Sequence, residues 1–146
     1  MFYQFRVKEN DKDFLRFLWW ENNDTTSKPV DYRMKVHLFG AASSPGCANY
    51  GLKHLAQEHK EEFPMASCFI ARNFYVDDGI TSLPSQGEAV KLAKEARELC
   101  QRGGIRLHKF VSNNKDVTES IPESERSAGV TSLDLDLEES MERALG

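Results

Sequence analysis

The stretch that most constrains the fold runs from Ser85 to Gly104. Ser85 and Glu88 have the form of a capping box, and Ala89, Leu92, Ala93, Ala96, Leu99 and Cys100 recur at helical spacing to make one apolar face. Lys91/Glu95, Lys94/Glu98 and Glu98/Arg102 are spaced i,i+4, and Gly103-Gly104 ends the pattern. A helix is predicted here, and its apolar face needs a partner.

Just upstream, the apolar run Phe74-Tyr75-Val76 closes on Asp77-Asp78-Gly79. Such a run predicts a β-hairpin, because Asp-Gly suits the positive φ angles of a tight turn, with Ile80 to Leu83 returning as a short strand. Two readings attach to Tyr75-Val76-Asp77-Asp78. One is a turn alone. The other is a pair of hard oxygen ligands at a hairpin tip, where a divalent cation and a triphosphate can meet.

The first third of the chain is strand-rich. Phe2 to Val7 and Phe14 to Trp20 are β-rich runs separated by a charged turn, Lys8 to Lys12, and Glu21 to Pro29 forms a polar loop. Tyr32 to Leu38 alternates apolar and basic residues, the pattern of a half-buried strand. Phe39 to Pro45 breaks it, and Ser44-Pro45 is a good N-cap and N1 pair for a helix to about His59. Ala48, Leu52, Leu55 and Ala56 fall on one face of that helix. Pro64 opens either a short helix, on the spacing of Ala66, Phe69 and Ile70, or a strand. Beyond Gly104, Ile105 to Val111 reads as a strand, residues 112–132 as an irregular loop, and Asp134 to Leu145 as a weak helix. The order is strand, helix, hairpin, helix, strand. It predicts an α+β fold, an antiparallel sheet backed by helices on one face, which suits a ferredoxin-like palm and equally a small RNA-binding module.

With 146 residues and 40% hydrophobic content, the chain fits one domain with a modest core. No apolar run nears the roughly 20 residues of a membrane span, and the first residues lack the order of a signal peptide. An intracellular, non-secreted protein without membrane association is expected. The three cysteines, Cys47, Cys68 and Cys100, are widely spaced and lack a zinc-ligand pattern, which predicts reduced, buried thiols. The net charge of −4 conceals a split: residues 1–115 carry a balance of +3 and residues 116–146 one of −7. A mildly basic body is compatible with nucleic-acid contact and equally with an ordinary solvated surface. The expected division is a core over 1–111 and an acidic segment over 112–146.

Four segments together resemble a known family. They are Met1-Phe2-Tyr3-Gln4-Phe5-Arg6-Val7 with Asp11 to Trp19; Phe39-Gly40 with Ser43-Ser44-Pro45 and Ala48-Asn49; Phe74-Tyr75-Val76-Asp77-Asp78; and Gly103 to Phe110 with Ser112-Asn113. In order and spacing they resemble the reverse-transcriptase palm of long-terminal-repeat retrotransposons, most closely the Bel/Pao group. The resemblance covers nearly the whole chain.

The resemblance implies an RNA-directed DNA polymerase working by two-metal nucleotidyl transfer. Asp77 and Asp78 match the paired aspartates that hold Mg²⁺ (or Mn²⁺), stabilising the attacking primer oxygen and the departing pyrophosphate. Tyr75 falls near the primer end, and Phe2 where the family places the aromatic that excludes a ribose 2′-hydroxyl. Phe39 and Gly40 match a loop that bears on the templating base and incoming nucleotide. Lys109 matches a lysine that protonates or neutralises the pyrophosphate. The implied partners are an RNA or DNA template-primer and deoxynucleoside triphosphates, with fingers, thumb, RNase H and integrase domains in an intact polyprotein. The implied location is a cytoplasmic particle or the nucleus.

The sequence also departs from the family. A catalytic aspartate stands four positions before the residue matching Met1, so the third metal-binding carboxylate is missing from this chain. Ala144-Leu145-Gly146 resembles the start of the primer-grip segment. These departures predict a palm fragment, incomplete at both ends and inactive alone. The alternatives are a non-catalytic nucleic-acid-binding or interaction module that uses the sheet's aromatics, and a pseudogene product. His37, His54, His59 and Cys47 form no metal or nucleophile constellation.

Overall fold

The strands of the described residues form two short antiparallel ladders rather than one sheet. The computed structural model describes residues 1–127, and the chain divides into two compact units, Met1–Ala48 and Asn49–Gly146. Helices and small antiparallel ladders together make a mixed α+β protein.

In the first unit, β1 (Arg16–Trp19) pairs with β2 (Val30–Arg33), Arg16 facing Arg33 and Trp19 facing Val30. Cross-strand partners share a face. Phe17 therefore stacks on Tyr32, centroids 5.7 Å apart, beside Trp19 and Val30, while Arg16, Leu18, Asp31 and Arg33 line the reverse side. Arg16 bonds Asp13 and Asp31 there at 2.9 and 3.0 Å. The ribbon is exposed on both faces.

Strand runs expected at Phe2–Val7, Phe14–Trp20 and Tyr32–Leu38 are all shorter in the structure. Phe2–Gln4 winds into a 3₁₀ turn, with Phe5 N–H donating to Phe2 C=O, so Phe2 is buried by a turn instead of joining a ladder. Among the described residues, Phe5 to Val7 is the stretch of this run that enters a ladder. The amide of Val7 donates to Lys35 C=O and that of His37 to Phe5 C=O, both at 3.0 Å, around an isolated Arg6–Val36 bridge. Residues 9–15, including the start of the second expected strand, form a second 3₁₀ helix, Glu9–Leu15.

Four helices are described: α1 (Ser44–Glu58), α2 (Pro64–Asn73), α3 (Gln86–Arg102) and α4 (Lys115–Glu119). Ser44 opens α1, but its Oγ is buried without a hydrogen-bond partner among the described residues, and it does not cap the helix as expected. Pro64 at the first turn decides for helix in α2, since its missing N–H and fixed φ suit that position. Ser85 caps α3 by accepting the Glu88 amide at 3.3 Å.

In the second unit α2 packs on α3. Phe63, Ala66, Ile70, Leu92, Ala96, Leu99 and Cys100 are buried, joined by Leu52 and Leu55 of α1. Gly103 leaves room for Leu55, whose methyl would stand 2.5 Å from a Cβ there. Arg102 closes the end of α3 by stacking over Phe63 at 4.7 Å and bonding Glu62.

Ile105–Val111 does not become a strand. Lys109 has φ +61°, which breaks an extended ladder, and only Phe110 forms a bridge, parallel to Arg126. Residues 112–127, expected as irregular loop, contain α4, capped by Asn114 Oδ1, and a 3₁₀ turn at Glu123–Glu125. α4 packs on α3, and Glu125 pairs with Arg97 and Arg106. The helix expected over Asp134 to Leu145 lies outside the described residues.

Cys47 and Cys68 are exposed, against the expectation of buried thiols, and only Cys100 is buried. No helix of the described residues is long and apolar enough to cross a membrane.

Candidate functional site

The predicted hairpin is present, at the end of α2. β3 (Phe74–Tyr75) pairs antiparallel with β4 (Asp78–Gly79), so Tyr75 faces Asp78 and Phe74 faces Gly79. The turn is Val76-Asp77, two residues earlier than the Asp78-Gly79 placement expected from sequence. Positive φ falls on Val76, at +57°, and not on Gly79. A β-branched residue in that region is strained by on the order of 1–3 kcal/mol. The strain sits immediately before the two aspartates.

Gly79 serves a different purpose from the one expected. A Cβ there would lie 2.7 Å from the Phe74 ring and 2.8 Å from Phe69, so glycine lets the hairpin settle on two aromatics. Phe69 of α2 meets Phe74 edge-on at 5.3 Å. Asn73 completes the anchor: its side-chain amide donates to Ile80 C=O, and Ile80 N–H donates to Asn73 C=O, both at 3.1 Å. That pairing also explains why Ile80–Leu83 is no strand. The residues that would face it beyond Asn73 belong to α2, where their backbone groups are already used.

Alternation turns Phe74 toward α2 and leaves Tyr75 and Asp78 on the outer side. Tyr75 is 67% exposed, and both aspartates are exposed. Partial burial, and then the neighbouring Asp77 charge, push the Asp78 carboxyl above its ordinary value, while the Lys109 ammonium pulls it back. Lys109, exposed on the broken segment after Gly104, therefore acts on Asp78 across the fold. Tyr75, Asp77 and Asp78 share the hairpin, and Lys109 reaches Asp78 through its charge.

Phe2, Phe39 and Gly40 lie in the first unit. The Arg6–Val36 pairing brings the residues on either side of it together, so buried Phe2 meets exposed Phe39 with centroids 6.1 Å apart. Gly40 has φ +86°, a conformation that favours glycine, and nothing stands within 4 Å of a Cβ built on it.

Asp77 and Asp78 are hard oxygen donors, right in kind for Mg²⁺ or Mn²⁺. Among the described residues no third carboxylate, imidazole or thiol joins them into a metal-holding group. The donors suit the cation in chemistry and fall short in number. Sequence reasoning missed Phe69, Asn73 and the packing role of Gly79. Helical spacing marked Phe69 as apolar, but no periodic signal connects it to a residue beyond the helix end.

Comparison with protein-family models, curated proteins and solved structures finds no match for this chain.

Proposed function

We propose that the chain is part of an RNA-directed DNA polymerase of the Bel/Pao type, in which Asp77 and Asp78 are metal-binding carboxylates and the two-stranded β3–β4 hairpin is the counterpart of the hairpin that carries them in a ferredoxin-like palm. The observation that carries this reading is the hairpin itself: two adjacent aspartates, Asp77 in the strained two-residue turn and Asp78 opening β4, anchored through Phe74 and Asn73, with Asp78 within the field of Lys109. Asp77 and Asp78 would hold a divalent cation together with further ligands, and such a cation would supply charge neutralisation for a phosphoryl transfer. Asp77 and Asp78 contribute ligand oxygens, Tyr75 an exposed ring beside them, and Lys109 a cationic charge for an anionic leaving group. In the complete protein the partners are a template-primer and deoxynucleoside triphosphates, and the place of action is intracellular.

Two carboxylates do not make a two-metal centre, so the isolated chain is proposed to be inactive. Mn²⁺ titration of the folded chain, followed by NMR line broadening, tests the site. Broadening should concentrate at Tyr75–Gly79 and disappear in Asp77→Asn. Uniform broadening over all exposed carboxylates would overturn the assignment, and templated incorporation by the chain alone would overturn its inactivity.

The exposed aromatic side of the β1–β2 ribbon favours a second reading, single-stranded nucleic-acid binding without chemistry, since Phe17, Trp19 and Tyr32 offer faces on which bases stack. Binding that is salt-sensitive, lost in Trp19→Ala, and indifferent to both Mg²⁺ and Asp77→Asn would decide for it.

A further inference from the structure

We draw no further inference here: the strongest candidate, the exposed apolar face formed by Phe17, Trp19, Val30 and Tyr32 on the β1–β2 ribbon, carries nothing beyond the nucleic-acid reading already given, because nothing in the structure shows what covers it.

Discussion

Gly79 lies directly across the β3–β4 ladder from Phe74, with only 2.7 Å between the Phe74 ring and the place a Cβ would take. The hairpin that holds Asp77 and Asp78 is therefore seated by an absent side chain. Gly79→Ala must push aside Phe74 or Phe69, and overpacking of this kind costs about 1–3 kcal/mol. Urea unfolding should show a lower midpoint for Gly79→Ala, with the midpoint largely recovered when Phe69→Leu is added. An unchanged midpoint in the single variant would mean that the aromatics move freely.

Helices α1 and α3 were legible in the sequence because their signals, Ser44-Pro45 and the Ser85 cap with the apolar spacing behind it, act within a turn or two. Pro64 left α2 open between helix and strand, and α4, capped by Asn114, lies in a stretch expected as loop. The strands were legible only as apolar runs. Whether Phe2–Val7 or Ile105–Val111 becomes a strand depends on a distant partner, and among the described residues one is offered at Lys35–His37 and at Arg126. The aspartate pair was visible as a motif and its hairpin as a turn signal. Its seat was not, because Phe69, Phe74 and Gly79 meet through folding rather than through spacing.

Lys109 has φ +61° with an exposed side chain, so its backbone strain is not repaid by packing. Left-handed conformation costs a side-chain-bearing residue about 1–2 kcal/mol, and the added freedom of an unfolded glycine returns about 0.4–1 kcal/mol of that. Lys109→Gly should therefore raise the unfolding free energy by up to about 1 kcal/mol, read as a higher urea midpoint, whereas Lys109→Ala should not. Equal effects of the two variants would show that charge, not backbone, sets the balance.

Glu125 joins α3 to the segment beyond it through Arg97 Nε, in a pair more sheltered than the exposed Arg16–Asp13 pair of the first unit. Removing one partner of a partly buried, charge-assisted bond costs about 1–3 kcal/mol. Exposed pairs are worth about 0–1 kcal/mol. Glu125→Ala should thus destabilise the protein more than Asp13→Ala, and amide exchange at Val117–Ile121 should quicken only in the former. Equal losses in the two variants would sink the distinction.

Burial pushes the Cys100 thiol up to about 12, while Cys47 and Cys68 are exposed. The thiolate is the reactive form, so Cys100 is protected both by its proton and by the core around it. Alkylation with iodoacetamide near pH 8, read by mass spectrometry, should label Cys47 and Cys68 in the native chain and all three cysteines in urea. Rapid native labelling of Cys100 would mean that the α2–α3 core opens readily.

Asp78 binds its proton more tightly in the folded chain than when unfolded, chiefly through partial burial and then through the Asp77 charge. Its ionised form therefore works against folding at neutral pH, and that cost declines as pH falls through the raised folded value and is gone below the unfolded one. Asp78→Asn should be more stable than the parent at pH 7, and the gain should shrink toward zero on acidification below the ordinary carboxylate range. Neighbouring variants fix the cause. By carboxyl NMR titration, Asp77→Asn should lower the Asp78 midpoint and Lys109→Met should raise it, because the first removes a repelling charge and the second an attracting one. A Lys109→Met titration that leaves Asp78 unmoved would separate the lysine from the acidic pair, and with it the leaving-group role proposed for that side chain.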